Sequence, residues 1–213
     1  MTSPSLSSFA HTMEVPVRGE FYLQLPTGEA ERAFPLLLFL HGMNDADSIF
    51  ELPAPPRLVD DLQLPVAIAS PLCRGLRWDI DELLGLLEHL ERDLDIDQNR
   101  IYVTGISIGG LATWELALRR PHKFAAIVPI CGAGQPWNAF RISHIPTWVF
   151  HGAKDEIVPV GESKMMVDAL NRSGGTAKLT VYPDEAHGAW GRAYNEPDLW
   201  SWLLAREIEG QPK

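Results

Sequence analysis

The sequence predicts an α/β fold: a mostly parallel sheet of about eight strands with helices on both faces. One observation is a series of short, unbroken apolar runs, at 35–40, 65–70, 101–105, 125–130 and 147–150, with a further candidate strand at 178–183. Strands buried on both faces have this composition, and they occur mainly in parallel sheets. The other observation is that patterns with helical periodicity separate these runs, as βαβ units require.

Four helices are predicted. The first has apolar residues at 3.6-residue spacing: Ile80, Leu83, Leu84, Leu87, Leu90 and Leu94. Asp79 and Glu82 form a start signal at its head. The second begins after Ser107 and ends before Pro121, and the others cover 161–172 and 198–209.

The start of the chain follows a different pattern. Met13, Val15 and Val17 alternate with polar residues, as do Phe21, Leu23 and Leu25, which predicts a half-exposed antiparallel hairpin. The proline-rich stretch 51–58 is expected to be a surface loop. We therefore expect a flexible tail at 1–9 and a single domain at 10–213 without a lid domain.

Composition limits the class of partner. The chain has 18 basic and 28 acidic residues and a net charge of −10, which argues against binding nucleic acid or an anionic membrane surface. No apolar run is long enough to span a bilayer, and the N-terminus does not resemble a secretory signal. Cys73 and Cys131 suggest a reducing compartment rather than a disulfide scaffold, so a cytoplasmic location is expected.

A Gly-x-Ser-x-Gly pattern lies in "GISIGG", residues 105–110. By itself the pattern is weak, because a serine in a tight glycine-rich turn also produces it. Here it follows a predicted strand and precedes a predicted helix, which is the context of a nucleophile elbow. The helix N-terminus supplies free N–H groups and positive potential. We interpret Ser107 as a catalytic nucleophile.

A serine hydroxyl needs a base, and the base needs an orienting acid. His187 directly follows the last predicted strand, at the sheet edge where the serine turn also lies. Asp155 follows the strand at 147–150, and the neighbouring Glu156 is a weaker candidate. Ser107, Asp155 and His187 occur in the chain order of α/β hydrolases.

Two backbone N–H groups are expected to form an oxyanion hole. One belongs to Ile108, directly after the nucleophile, and the other to Met43 in the loop "HGMN". His41 in that loop is expected to be structural. Trp78, Trp137 and Trp190 follow strand ends and are candidates for lining the substrate pocket, although packing beneath a loop is equally consistent with each.

The stretches "FLHGMND", "DQNRIYVTGISIGGLATWELALRRP", "IPTWVFHGAKDEIVP" and "AHGAW" resemble small bacterial carboxylesterases of the α/β-hydrolase superfamily. The similarity is greatest to the phospholipase/carboxylesterase and polyhydroxybutyrate-depolymerase-like esterase groups. This resemblance implies the same three catalytic residues and ester hydrolysis without a cofactor or metal.

The predicted function is hydrolysis of small soluble carboxylic esters through an acyl-enzyme. A thioesterase, a feruloyl-type esterase and an exopeptidase-like hydrolase remain alternatives, since the same triad serves thioesters and amides. A ligand receptor on the same fold is a further alternative. The expected partner is a small-molecule ester, and a homodimer remains open.

Acidic residues on two loops predict a negative rim around the site: Asp45, Asp47, Glu51, Asp184 and Glu185. Such a rim would repel anionic substrates. The alternative is that these side chains face solvent on the outer loop surfaces.

Overall fold

The computed structural model describes residues 9–12, 19–26, 33–62 and 64–208. Within them, eight strands form one sheet: β1 (Phe9–Thr12), β2 (Glu20–Gln24), β3 (Phe34–Leu40), β4 (Ala67–Pro71), β5 (Ile96–Ile106), β6 (Ala126–Ile130), β7 (Trp148–Gly152) and β8 (Lys178–Tyr182). The predicted strand through Met13, Val15 and Val17, and residues 1–8 of the predicted tail, lie outside the described residues. The strand at the start of the chain begins earlier than predicted, at Phe9.

The strand order is β1-β2-β4-β3-β5-β6-β7-β8. The β1–β2 and β2–β4 pairs are antiparallel, and every pair from β4 to β8 is parallel. The carboxyl ends of six parallel strands therefore meet at one edge of the sheet. All the loops that carry predicted site residues begin at this edge.

The helices are α1 (Pro55–Leu62), α2 (Ile80–Asp93), α3 (Ile108–Arg119), α4 (Val160–Arg172), α5 (Trp190–Tyr194) and α6 (Leu199–Leu204), and a 3-10 helix covers Pro136–Ile142. The side chain of Asp79 caps α2 by accepting from the N–H groups of Asp81 and Glu82, as the start signal predicts. None of the helices in the described ranges is long and apolar enough to cross a membrane.

Two predictions about helices were wrong. The proline-rich stretch is not entirely loop, because α1 begins at Pro55, and proline is favoured in the first turn of a helix. The last helix is much shorter than predicted: α6 ends at Leu204, and residues 209–213 lie outside the described part of the chain.

The two faces of the sheet bury separate apolar cores. Leu36, Leu38 and Leu40 point to the face covered by α2, α3 and α4. Leu37 and Phe39, which alternate with them along β3, point to the face covered by α5 and α6. Burial on both faces explains why the strands are continuous apolar runs.

The turn between β5 and α3 depends on backbone contact at two glycines. A Cβ on Gly105 would overlap the carbonyl group of Gly109, and a Cβ on Gly109 would overlap the carbonyl group of Leu40. Between them, Ser107 has φ 55° and ψ −117°, a conformation that non-glycine residues rarely adopt. The close contact therefore holds a serine in a strained backbone conformation at the edge of the sheet.

We expect Gly109→Ala to destabilise the protein strongly, because the added Cβ collides with backbone that cannot move aside. Overpacking in a core costs about 1–3 kcal/mol, and this collision is with main chain. Gly161→Ala is the matched control, since an added Cβ there meets nothing within 4 Å. Thermal unfolding measures both variants. Equal melting temperatures for the two variants would contradict this account of the turn.

Candidate active site

The structure brings Ser107, Asp155 and His187 together at the carboxyl edge of the sheet. Ser107 lies between β5 and α3, Asp155 follows β7, and His187 follows β8. The Nε2 atom of His187 is 2.8 Å from Ser107 Oγ, and its Nδ1 atom is 2.7 Å from Asp155 Oδ2. Residues 80 positions apart thus form one continuous hydrogen-bonded chain.

The chemistry of the carboxylate fixes the direction of these hydrogen bonds. An ionised Asp155 can only accept, so Nδ1 of His187 carries the proton that it donates. In the neutral ring, the Nε2 lone pair then faces the Ser107 hydroxyl. This arrangement can remove a proton from the serine.

Asp155 lies in a sealed environment. Its side chain has no exposed surface, whereas that of His187 is 16% exposed. Burial by itself would raise the pKa of Asp155, but hydrogen bonds from His187 and from the N–H groups of Val158 and Ile157 outweigh it and hold the pKa below its ordinary value. The carboxylate therefore stays ionised throughout the range in which a histidine titrates.

The predicted oxyanion donors, the N–H groups of Ile108 and Met43, lie on two segments next to Ser107. Ile108 is the first residue of α3, so its N–H has no partner within the helix. In the part of the chain that the structure describes, no hydrogen bond engages the Met43 N–H, whereas the Gly42 N–H donates to Asp45 Oδ2. A Cβ on Gly42 would lie 3.6 Å from the Ser107 Cβ, so this loop lies directly against the serine.

His41 supports the loop rather than facing the site. It is fully buried, with Nδ1 2.7 Å from the Gly42 carbonyl oxygen, and Nε2 accepts from the Cys73 N–H at 2.9 Å. Because the carbonyl can only accept, Nδ1 carries the proton and the ring is neutral. Burial lowers the pKa of His41, in agreement with this state.

The three predicted pocket tryptophans lie in different environments. Trp78 is buried, and its indole N–H donates to the His41 carbonyl oxygen, so it packs beneath the loop at residues 41–44, as the alternative of packing beneath a loop expects. The ring of Trp190, at the start of α5, meets the His187 ring edge-on with centroids 5.9 Å apart. Trp137 is 73% exposed on the 3-10 helix. Of the three tryptophans, Trp190 therefore contacts one of the predicted catalytic residues, His187.

Sequence reasoning assigned no role to His151, which also contacts the acid. Its Nε2 atom is 3.1 Å from Asp155 Oδ2, and its side chain is fully buried. The sequence does contain a feature that points to this contact: His151 follows a predicted buried strand and precedes Asp155 by four residues.

His151, Asp155 and Cys131 have potential metal-ligand atoms within 4.8 Å of one another. The protonation states oppose a metal there. Burial raises the pKa of Cys131 to about 12, and metals bind the thiolate rather than the thiol. His151 Nε2 is already engaged with the Val158 carbonyl oxygen at 2.8 Å. The cluster is therefore suited to hydrogen bonding around Asp155.

The predicted negative rim is only partly offset, because two arginines reach three of its five carboxylates and Glu51 is exposed. Arg74 pairs with Asp47, and Arg192 pairs with both Asp184 and Glu185. Asp45 lies within its own loop, where it accepts from Gly42. The sequence pattern revealed the carboxylates but not the two arginines that reach them from other segments.

The sequence matches the model of a known family. The family model for phospholipase/carboxylesterase matches residues 79–196, which is more than half of the chain. The protein therefore belongs to the phospholipase/carboxylesterase family of α/β hydrolases.

Individual relatives agree with this assignment. A probable feruloyl esterase C from Aspergillus terreus is 25% identical over 176 residues, which cover 76% of this chain and 64% of that protein. A putative carboxymethylenebutenolidase from Escherichia coli is 27% identical over 100 residues, covering 43% of this chain and 37% of that protein. The chain thus spans less than two thirds of the length of these curated relatives.

Solved structures share the fold. A thermostable esterase superposes with a TM-score of 0.77 at 28% identity, covering 94% of this chain and 63% of that one. An S-formylglutathione hydrolase from Staphylococcus aureus has a TM-score of 0.75 at 14% identity, covering 93% and 98% of the two chains. The second likeness concerns the fold alone.

The buried neutral state of His41 predicts a pH-dependent stability. The unfolded chain protonates this residue near its ordinary pKa of about 6.5, while the native state resists protonation. The contribution of His41 is therefore complete above about pH 6.5 and decreases as the pH falls below it. We expect His41→Asn to lower the melting temperature at pH 7.5 and to flatten its decline between pH 6.5 and 5.

The matched control is His122→Gln, because His122 is exposed. The contribution of Asp155 is lost only as the pH falls below about 4, the ordinary pKa of an aspartate, so it does not interfere with this window. Parallel pH profiles for the wild type and His41→Asn would show that His41 has no such role.

Proposed function

We propose that the protein is a serine carboxylesterase in which Ser107 is the nucleophile, His187 the general base and acid, and Asp155 the orienting acid. The observation that carries this proposal is the pair of hydrogen bonds of 2.8 Å and 2.7 Å that join the three side chains. The strained turn at Ser107, directly before a helix, supports it. Family membership supports the same reaction class.

The reaction proceeds by acyl transfer. Ser107 Oγ attacks the ester carbonyl carbon while His187 Nε2 takes its proton, and the carbonyl oxygen becomes an oxyanion. The tetrahedral intermediate then collapses as His187 gives the proton to the departing alcohol, leaving an acyl-enzyme. A water molecule repeats both steps, which releases the carboxylic acid and restores Ser107.

Each supporting group acts where charge develops. The N–H groups of Met43 and Ile108 stabilise the oxyanion, and loss of one such donor costs about 2.7–4 kcal/mol in other serine hydrolases. The buried, ionised Asp155 stabilises the imidazolium form of His187 while keeping its proton on Nδ1. None of these steps calls on a metal or a cofactor.

We propose small-molecule carboxylic esters as substrates, acted on in the cytoplasm. The net charge of −10 disfavours nucleic acids and anionic membrane surfaces as partners. Aromatic acyl esters are the second candidate. Trp190 lies edge-on to His187, and similar proteins include the probable feruloyl esterase. A panel of acetyl, feruloyl and aminoacyl esters of one alcohol, together with the thioester that has the same acyl group as one of them, distinguishes these classes.

We expect Ser107→Ala to reduce kcat/KM by about 10⁴-fold or more, because it removes the attacking hydroxyl. The variant should also fail to react with a fluorophosphonate probe, which labels the wild type at Ser107. The melting temperature serves as the folding control. Esterase activity within tenfold of the wild type would refute the serine mechanism, and a wild type that takes up no probe would favour a receptor.

We expect Asp155→Asn to lower kcat strongly, because the amide can donate to His187 and so favour the wrong tautomer. In a well-studied serine protease, the corresponding Asp→Asn change lowers kcat by about 10⁴-fold. Glu156→Gln is the matched control, since Glu156 is the adjacent carboxylate and is exposed. A larger loss of activity in Glu156→Gln than in Asp155→Asn would show that Glu156, and not Asp155, is the orienting acid.

A further inference from the structure

His151 makes three polar contacts from a fully buried position near the end of β7. Its Nε2 atom lies 2.8 Å from the Val158 carbonyl oxygen and 3.1 Å from Asp155 Oδ2. Its Nδ1 atom lies 2.7 Å from the hydroxyl of Ser163, in the first turn of α4, which is also buried. The ring thus links the strand, the acid-bearing loop and the following helix.

These partners determine where the proton of His151 lies. The Val158 carbonyl can only accept, so Nε2 carries a hydrogen and donates it to that oxygen, while Asp155 Oδ2 lies 3.1 Å from the same nitrogen. Ser163 can donate its hydroxyl hydrogen to Nδ1. One neutral tautomer therefore satisfies all three contacts without placing a second charge beside the acid.

Asp155 is surrounded by donors on both oxygens. Oδ1 accepts from the N–H groups of Ile157 and Val158, each at 2.9 Å. Oδ2 accepts from the partly exposed His187 and is also in contact with the fully buried ring of His151, whose Nε2 lies 3.1 Å away. Cys131 is the other titratable group beside the carboxylate, and as a neutral thiol it adds no charge.

We propose that His151, held by Ser163, is a positioning residue of the triad. Its Nε2–H group, 3.1 Å from Asp155 Oδ2, acts as a local dipole that holds this oxygen in line with His187 and offsets part of the negative charge that Oδ2 directs at the base. The alternative is a buried histidine that only satisfies Val158 and Ser163. The two roles differ in one respect: only a positioning residue changes the titration of the catalytic base.

The consequence for pH has a definite sign. Without the neighbouring N–H dipole, the negative charge on Oδ2 is less offset and stabilises the imidazolium form of His187 more strongly. The active, neutral form of His187 then requires a higher pH. The acid limb of the kcat profile should move to higher pH, and the plateau should fall because Asp155 is less well fixed.

The test compares His151→Leu, which has no donor, with His151→Gln, whose side-chain amide can place an N–H near the Nε2 position. For His151→Leu we expect plateau kcat to fall about 10–100-fold, by analogy with the loss seen when the hydrogen-bond partner of a metal ligand is removed, with KM nearly unchanged. The acid limb should move up by about half a pH unit or more. His151→Gln should recover most of both effects.

Two further variants provide a second test and a control. Ser163→Ala keeps the imidazole but removes its anchor, so it should shift the limb in the same direction by less, and it provides the test if His151→Leu does not fold. His144→Gln, at an exposed histidine, is the control for loss of an imidazole elsewhere and should match the wild type. A lower kcat with an unmoved acid limb, or no recovery in His151→Gln, would overturn the proposal.

This inference rests on the proposed esterase function, but the two can fail separately. If the wild type lacks activity that depends on Ser107, the proposed function fails. If that activity is present and His151→Leu and Ser163→Ala titrate as the wild type does, only the role of His151 fails.

Discussion

The site depends on backbone contact between three segments: the end of β3, the end of β5 and the start of α3. Gly105 and Gly109 permit this contact, because a Cβ on either would overlap a neighbouring carbonyl group. The contact confines Ser107 to a positive φ, which an isolated serine would leave. Packing in the surrounding core offsets the cost of this strain, since Trp114 and Leu116 of α3 are buried against the sheet. As a result, the hydroxyl and the first free N–H of the helix are both placed at the sheet edge.

A second contact of the same kind joins the acid to the base. A Cβ on Gly152 would overlap the Ala186 carbonyl group, so the loop that carries Asp155 and the loop that carries His187 lie against each other. Two buried histidines then support the site on either side. His41 supports the loop at residues 41–44, and His151 contacts Asp155. A neutral imidazole suits both places, because it donates on one side and accepts on the other without adding charge.

Much of this arrangement could be predicted from sequence, because chain order and strand ends determine which loops meet. A serine after β5, an acid after β7 and a histidine after β8 must share the carboxyl edge of a parallel sheet. Features that depend on contacts between distant segments could not be predicted. The pairing of Arg192 with Asp184, and the packing of Trp78 under His41, follow from loop paths that no local pattern encodes. The helix at Pro55 was missed because proline marks both loops and helix starts.

Solvent exposure differs between Asp155 and the other two residues of the proposed triad. This difference meets two requirements: a charge that water does not screen, and access from solvent to the reacting groups. The Asp155 side chain is sealed from solvent, so its attraction for the imidazolium is little screened by water. His187 is partly exposed and Ser107 lies at the same boundary, so both side chains are accessible from solvent. A sealed charge without donors would become protonated, but two backbone N–H groups and the imidazole of His187 keep Asp155 ionised. The interior of the fold thus supplies the electrostatic part of the site, and the loops at the sheet edge supply access to it.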